Sequence, residues 1–296
     1  MSFSVRNSLK HYEGVLCEAL AAPAGLHIYG GGDMSGSISA NPGRDACTAT
    51  LRGKNVIVIG GSRGLGRTIL ETVHAEGARV MAVARGEESL AEVVDSLEGA
   101  ATLSLDATDE NAPARVLEAL DPDVLIVVAG AIPPTKPVHE LTWSEFSINW
   151  DTDVKLSFLF CKAALGAPLR PGTLVILISS GAAMGGSPIS GGYAGAKRMQ
   201  MFLANYSQKE SDRLGLGVRF LALAPARIMP DTGVGQAAVS GYSRYLGMSA
   251  AEFIQGMSSR QTPTDVALAV VNFATHRISQ AGNAFLVSGN GVEPTA

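Results

Sequence analysis

Apolar residues between Leu51 and the C-terminus fall into short continuous runs, separated by longer stretches in which they recur at helical spacing. The first run, Asn55-Val56-Ile57-Val58-Ile59, shows no polar alternation, which is typical of a parallel strand buried on both faces. Such runs predict seven strands, at 55–59, 79–84, 102–105, 124–129, 174–179, 218–222 and 284–287. The stretches between them predict helices at 65–76, 88–97, 112–120, 143–165, 193–214 and 264–275. This alternation with short connections predicts an α/β fold, a doubly wound parallel sheet.

The pattern is different over residues 1–50. Apolar side chains recur there at helical spacing and predict an amphipathic helix over 2–20: Val5, Leu9, Tyr12, Leu16 and Leu20. A linker rich in Gly, Ser and Asn follows. We therefore expect an N-terminal extension over 1–50 and one catalytic domain over 51–296. The extension is either poorly ordered, or an arm that packs its apolar stripe on a neighbouring subunit, or a processed targeting segment.

Composition narrows the classes of function. Hydrophobic residues make up 46% and charged residues 17%, which excludes a disordered, highly charged chain. A net charge of -4 gives no basic footprint for nucleic acid, and no apolar run approaches the ~20 residues of a membrane span. Cys17, Cys47 and Cys161 are far apart and the histidines are scattered, so we expect no metal site and no disulfide framework. A cytoplasmic location is the expectation that follows.

A glycine-rich turn follows the first predicted strand and precedes the first predicted helix. It reads Gly60-Gly61-Ser62-Arg63-Gly64-Leu65-Gly66. Glycines allow a sharp turn and a close approach to a pyrophosphate, and the helix N-terminus offers free N–H groups to the phosphates. The first five residues of this turn also match the G-x-S-x-G nucleophile elbow of α/β-hydrolases. We disfavour that alternative, because the elbow normally follows several strands and because His139 and His276 lie in no recognisable catalytic setting.

The end of the second predicted strand bears on the choice of cofactor. A dinucleotide site selective for NAD tends to place an acidic residue there, against the ribose hydroxyls. Here the strand ends Val83-Ala84-Arg85, with arginine in that place, and Arg63 of the glycine turn is expected near the same ribose. Two guanidinium groups suit a 2′-phosphate. The sequence therefore favours NADP over NAD.

A serine, a tyrosine and a lysine form the candidate catalytic set. Ser180 follows the fifth predicted strand, and Tyr193 and Lys197 open the next predicted helix four residues apart, on one helical face. An ammonium beside a phenol favours the phenolate form, which allows tyrosine to exchange a proton with an alcohol or carbonyl oxygen. A serine hydroxyl can hold the same oxygen as charge develops.

In combination these motifs give the chain a strong resemblance to the short-chain dehydrogenase/reductase family over about residues 51–291. The matching pieces are the glycine turn, Asp106-Ala107, Ala129-Gly130, Ser180, Tyr193 with Lys197, and Pro225 through Ile228. The resemblance implies a Rossmann fold with a seven-stranded sheet, a nicotinamide cofactor and hydride transfer. It also implies a small-molecule carbonyl or alcohol substrate, and a homodimer or homotetramer.

The resemblance also implies roles for individual residues. Tyr193 would be the general acid/base, Ser180 would position the substrate oxygen, and Lys197 would favour the phenolate and hold the nicotinamide ribose. Asp106 would bond the adenine, which Ala107 would approach through its backbone. The main chain of Ile228 would meet the carboxamide. The other cofactor contacts implied are Gly60, Ser62, Arg63, Gly64, Leu65, Gly66, Arg85, Ala129, Gly130 and Pro225.

The chain departs from the family pattern at several positions. Val127-Val128 stands where the family has two asparagines, and Pro225-Ala226 replaces Pro-Gly. The family's fourth catalytic residue, an asparagine, aligns with Asp153, while Asn149 is an alternative one helical turn away. In the family that asparagine keeps a kink in its helix and lends its main-chain carbonyl to a water linked to the lysine. The carboxylate of Asp153 is new, and it either points toward Lys197 or bonds its own helix or solvent.

The segment 227–262 is predicted to cover the substrate. It carries apolar and aromatic side chains that suit an apolar or aromatic carbonyl compound, or that simply pack a small helix: Met229, Val234, Tyr242, Tyr245, Met248, Phe253 and Met257. Two functions follow. The first is an NADP(H)-dependent carbonyl reductase or alcohol dehydrogenase, and the second is a catalytically silent NADP(H)-binding sensor or scaffold.

Overall fold

Buried apolar strands form one sheet at the centre of the domain. The computed structural model describes residues 50–167, 169–257, 261–278 and 280–295, and the predicted extension over 1–49 with its amphipathic helix lies outside them. Within those residues the sheet has eight strands in the order β3-β2-β1-β4-β5-β6-β7-β8. Their bounds are Asn55–Ile59, Arg79–Ala84, Ala101–Ser104, Val124–Val127, Leu174–Ile178, Arg219–Pro225, Ala284–Ser288 and Gly291–Pro294. The α/β doubly wound fold predicted from the pattern is confirmed.

The number of strands corrects the expectation of seven. Strand β8, Gly291–Pro294, pairs antiparallel with β7, whereas every other neighbouring pair is parallel. Three of its four residues are exposed and Val292 is half-buried. An edge strand of this kind has no continuous apolar run, so the pattern that predicted the other strands could not detect it.

Helices cover both faces of the sheet. In chain order they are α1 to α10: Gly64–Ala75, Glu87–Ser96, Ala112–Ala119, Trp143–Asn149, Lys155–Gly166, Ala182–Gly185, Gly192–Leu214, Gly233–Leu246, Ala250–Gly256 and Pro263–Ala274. Alternate residues of β1 enter the two cores: Val56 and Val58 pack on one side of the sheet, Ile57 and Ile59 on the other. Both faces of the central strands are therefore buried, which explains why their sequences do not alternate.

The single helix predicted over 143–165 is interrupted. Helix α4 ends at Asn149, a π-helical turn spans Trp150–Val154, and α5 begins at Lys155. Thr142 starts α4 with a capping box to Glu145. Such π-turns are rare and often lie at functional sites. Here the turn carries Asp153 into the interior, where its side chain is 1% exposed.

In the part of the chain that the structure describes, no helix combines the length and the apolar character needed to cross a membrane.

Candidate active site

The residues predicted from the motifs meet at one edge of the sheet. The glycine turn leaves the carboxyl end of β1, and Ala129-Gly130 follows the carboxyl end of β4, its neighbour. The strand order reverses between these two strands, and ligands of open α/β sheets bind at such a switch point. Ser180 follows β5 and Pro225 ends β6, so both lie at the same edge. The topology therefore gathers the candidate cofactor and catalytic residues on one side of the domain.

Backbone contacts in the glycine turn require glycine at two positions. Gly60 has a φ of +93°, and a Cβ there would lie 2.7 Å from the nitrogen of Ala129. A Cβ on Gly66 would collide with the carbonyl oxygen of Gly60. Helix α1 begins at Gly64, with Arg63 as an extended N-cap whose side chain makes no capping bond. The first N–H groups of α1 therefore lack a side-chain cap, which suits a phosphate ligand.

The other residues of the turn differ in exposure. Ser62 is buried and Leu65 half-buried, while Arg63 and Arg85 are exposed. Neither guanidinium takes part in an ion pair among the described residues. Two exposed guanidinium groups are thus available for a ligand, one beside the start of α1 and one after the end of β2.

Asp106 lies in a turn after β3 and is exposed. The backbone N–H and the hydroxyl of Thr108 donate to its Oδ1 at 2.9 and 2.8 Å. These two bonds, with a smaller contribution from the charge of Arg85, lower the pKa of the Asp106 carboxyl. One carboxylate oxygen is therefore engaged by its own turn, and Ala107 beside it is half-buried.

The Asp153 carboxylate reaches Lys197. Oδ2 lies 3.1 Å from the lysine Nζ, and Oδ1 accepts from the backbone N–H of Ala131 at 2.8 Å and from Nδ2 of Asn149 at 3.3 Å. Of the two orientations left open by the sequence, the structure thus has the one toward the lysine. Asn149, the alternative to Asp153, belongs to the same cluster, and its Nδ2 also donates to the carbonyl of Ala131 at 2.8 Å.

Gly130 makes room for this carboxylate. A Cβ on Gly130 would lie 2.6 to 2.8 Å from the carboxyl atoms of Asp153. The requirement for glycine after β4 therefore comes from the aspartate on the neighbouring π-turn.

Lys197 is held by three acceptors. Besides Asp153, its Nζ donates to the carbonyl of Ile178 at 3.1 Å and to Oε1 of Gln200 at 3.0 Å. Burial alone would lower the pKa of the Lys197 ammonium, but the negative charge of Asp153, together with Tyr193, outweighs it and the pKa is raised. The lysine is therefore a charged group in a buried position.

Tyr193 lies in the first turn of α7, half-buried, with the Lys197 Nζ 5.6 Å from the centre of its ring. The start of this helix is fixed by Trp150, whose indole N–H donates to the carbonyl of Gly192 at 3.1 Å. A Cβ on Gly192 would collide with the carbonyl of Phe146. Close packing on α4 and the π-turn therefore sets where the phenol stands.

Ser180 is half-buried, and its Oγ accepts from the backbone N–H of Ala182 at 3.2 Å. Gly181 N donates to the carbonyl of Pro225 at 2.7 Å, which ties the loop after β5 to the end of β6. Ile228 is half-buried beyond that end.

Two buried polar residues of the site escaped the sequence analysis. Gln200 is fully buried, and its Nε2 donates to Oγ of Ser157 at 2.7 Å and to the carbonyl of Asp153 at 3.4 Å. Ser157 is also fully buried. A signal was present, because a glutamine three residues after Lys197 falls on the helical face that carries buried Ala196 and Ala204.

Val127 ends β4 and Val128 follows it, and both contribute apolar packing. Val127 is fully buried in β4. Val128 packs against the core, and its Cγ1 would lie 2.9 Å from a Cβ on Gly66. Val128 therefore supports the turn by contact rather than by a side-chain hydrogen bond, while Val127 packs in the core.

Helices α8 and α9 occupy the segment expected to cover the substrate. Tyr242 stacks on Phe253 at 5.2 Å, and Met229 and Phe253 are buried, so part of the apolar set packs the segment together. A cavity of about 500 Å³ lies between the two helices, and none of Ser180, Tyr193 and Lys197 lines it. Its walls include Gln236, Val239, Ser243, Arg244, Met248 and Ile254.

Three known proteins illustrate the similarity of this chain to others. A short chain dehydrogenase of Pseudocercospora fijiensis is 27% identical over 241 residues, which cover 75% of this chain and 76% of that protein. L-xylulose reductase of Bos taurus is 32% identical over 124 residues, 40% of this chain and 51% of the reductase. A 2,5-dichloro-2,5-cyclohexadiene-1,4-diol dehydrogenase of Sphingobium indicum is 30% identical over 191 residues, 60% of this chain and 74% of that enzyme. This chain thus spans about half the length of the xylulose reductase that it matches.

A solved structure is similar as well. The crystal structure described as ribose-5-phosphate isomerase from Brucella melitensis 16M superimposes with a TM-score of 0.66 and 26% identity. The superposition covers 80% of this chain and 91% of that one.

The sequence profile of the short chain dehydrogenases matches residues 54–240, from β1 through the first half of α8. That range includes the glycine turn, Asp153, Ser180, Tyr193 and Lys197 and amounts to more than half of the chain. The protein therefore belongs to the short chain dehydrogenase family, whose members are oxidoreductases that use a nicotinamide cofactor.

Proposed function

We propose that this protein is an NADP(H)-dependent oxidoreductase that interconverts a carbonyl group and a secondary alcohol on a small-to-medium, apolar or aromatic substrate. The observation that carries the proposal is the buried, charged Lys197 beneath Tyr193, at the carboxyl edge of a nucleotide-binding sheet. The relatives support the reaction type, since they are named for the reduction of a sugar and the dehydrogenation of a diol. The sequence has three cysteines that are far apart, which supports the cytoplasm as the place of the reaction.

The described residues fit a dinucleotide. The uncapped start of α1 offers N–H groups to the pyrophosphate, and Gly64 faces open space there, since a Cβ on it would meet no atom within 4 Å. Exposed Arg63 and Arg85 suit a 2′-phosphate. When bound, the nicotinamide exchanges a hydride with the carbon of the substrate's carbonyl or alcohol group.

The side chains of this protein handle the proton. In reduction, the Tyr193 hydroxyl donates its proton to the carbonyl oxygen, and in oxidation the phenolate takes the proton from the alcohol. The Ser180 hydroxyl donates a hydrogen bond to the same oxygen as it becomes negative. The Lys197 ammonium favours the anionic phenolate, and Asp153 holds that ammonium charged in a buried position.

A silent NADP(H)-binding protein is the second candidate. The observation in its favour is that Lys197 donates to three acceptors of the protein itself. The complete set of Ser180, Tyr193 and Lys197 favours the enzyme, and turnover by the parent protein decides between the two.

The outer faces of α5 and α7 support the proposal of a homodimer or homotetramer. These helices pack on each other and expose Phe158, Phe202 and Tyr206, between 41% and 55%. Phe202 stacks on Tyr206 with ring centres 6.0 Å apart. We propose that this aromatic face, Phe158 with Phe202 and Tyr206, forms the contact between subunits.

Substitution of Tyr193 by phenylalanine tests the catalytic assignment. Loss of a general acid typically costs about 10²–10⁴ in rate. We expect that fall in kcat for NADPH-dependent ketone reduction, with a nearly unchanged dissociation constant for NADPH. Tyr206→Phe, an exposed tyrosine on the same helix, is the control and retains full activity. An unchanged rate for Tyr193→Phe contradicts the assignment.

Substitution of Arg85 by aspartate tests the choice of cofactor. An anion in place of the cation repels the 2′-phosphate, so Arg85→Asp narrows or reverses the preference for NADPH over NADH. Dissociation constants for both cofactors measure the effect. Arg79→Asp is the matched control, because Arg79 is exposed at the opposite end of the same strand. Equal affinity of the parent protein for NADPH and NADH rules the proposal out.

Asp153→Asn tests the electrostatic role of the carboxylate. Without that negative charge, the Lys197 ammonium is left buried with no anionic partner at 3.1 Å. Burial, which lowers the pKa of Lys197, then acts without its counter-charge, and activity falls earlier at alkaline pH. Asp151→Asn, on the same turn but exposed, leaves the pH profile of alcohol oxidation in place. A profile for Asp153→Asn that superimposes on the parent refutes the role.

Phe202→Glu tests the subunit contact. A buried carboxylate in an aromatic contact is unfavourable, so we expect a smaller particle by sedimentation and light scattering. The control is Leu214→Glu, which places the same charge at an exposed apolar position at the end of the same helix. Unchanged particle size for Phe202→Glu places the contact elsewhere.

A further inference from the structure

Gln200 is the polar neighbour of Lys197 on helix α7. It is fully buried, and its two amide atoms have different partners. Oε1 accepts from the Lys197 ammonium at 3.0 Å, while Nε2 donates to Oγ of Ser157 and to the carbonyl of Asp153. The amide therefore bridges the ammonium to the carbonyl of the π-turn, and its orientation is fixed at both ends.

The hydrogen-bonding capacity of Lys197 is fully used. An ammonium has three donors. They go to the carboxylate of Asp153, the carbonyl of Ile178 and Oε1 of Gln200, at 3.0 to 3.1 Å. If Lys197 is to donate to a ribose hydroxyl of the nicotinamide, as the proposed function requires, one of these bonds must be given up.

The three bonds differ in how readily they can be exchanged. Ile178 ends strand β5, so its carbonyl is held by the sheet. Separation of the ammonium from Asp153 would leave two uncompensated charges in a buried place, which is the most unfavourable change. The amide of Gln200 is neutral and belongs to a side chain, so loss of its bond to Lys197 leaves both charges paired. The bond to Gln200 is therefore the one that can yield.

We propose that Gln200 is a positioning residue that competes with the cofactor ribose for the Lys197 ammonium. Without cofactor the amide completes the shell around the lysine. On binding, a ribose hydroxyl takes the place of Oε1, so the affinity for the cofactor is reduced by the cost of that exchange. The inference rests on the proposed function, in which Lys197 holds the ribose.

If Gln200 is replaced, competition and simple structural support predict opposite changes in the affinity for the cofactor. If Gln200 only supported the site, its replacement would loosen Lys197 and weaken cofactor binding. If it competes, replacement by a side chain of similar length without an acceptor leaves one lysine donor free, and the cofactor binds more tightly. A net hydrogen bond corresponds to about a fivefold change in a dissociation constant.

The experiment measures NADPH binding to the full chain by calorimetry, with no substrate present. For Gln200→Met we expect a dissociation constant about fivefold lower than that of the parent. We also expect a lower melting temperature without cofactor and a larger rise on its addition. Gln200→Glu retains an acceptor of the same reach and gives no tightening. Gln208→Met is the matched control on the same helix, where the amide bonds Asp212 and Phe220 and no lysine.

Two outcomes overturn the inference while the proposed function stands: an unchanged or higher dissociation constant for folded Gln200→Met, or equal tightening by Gln200→Glu. If the parent binds neither NADPH nor NADH, the proposed function itself fails. Should Gln200→Met not fold, Ser157→Ala takes its place, because it removes the anchor of Nε2 and leaves the Lys197 bond less well aligned. It should tighten binding to a smaller extent, and an unchanged or weaker affinity then overturns the inference.

Discussion

The ion pair between Asp153 and Lys197 holds four separate segments of the domain together. The carboxylate is on the π-turn and the ammonium is on α7, and further hydrogen bonds of the two groups reach the backbone of Ala131 after β4 and of Ile178 at the end of β5. Burial of two charges is unfavourable unless both are paired and their other donors and acceptors are satisfied. The surrounding backbone meets that condition together with the side chains of Asn149 and Gln200, so the pair and the local chain path depend on each other.

The π-turn and the glycine after β4 both depend on the position of the Asp153 carboxylate. An uninterrupted helix was expected over 143–165, but the turn at Trp150–Val154 brings Asp153 inward toward Lys197. The carboxylate then occupies the space in which a side chain at Gly130 would lie. Asn149 contributes its amide N–H groups to the cluster, while its fully buried Oδ1 has no donor among the described residues. The cluster is thus organised around the carboxylate.

The sequence pattern was most informative where burial alone determines the structure. Strands β1 and β2 begin and end at the residues expected, because a strand covered on both faces has a continuous apolar sequence. It was least informative where one polar side chain acts on another distant in sequence. The interruption after Asn149 depends on such contacts, and the periodicity of apolar residues does not indicate them. A glutamine on a buried helical face gave a signal for Gln200, but its partners Ser157 and Asp153 lie on another element. One edge of the sheet holds Ser180, Tyr193 and Lys197, the residues that the motifs indicate, because the order of the strands places them there.

Strand β8 has a consequence for the behaviour of the protein at high concentration. A parallel strand at the border of a sheet presents unpaired N–H and C=O groups, which can recruit an extended segment of another molecule and begin aggregation. Here β7 is covered by a strand of four residues that runs antiparallel to it. That strand carries an exposed charge at Glu293 and ends at Pro294, which has no N–H to donate. These few residues therefore close this border of the sheet with a poor template for intermolecular pairing, which is a contribution to colloidal stability.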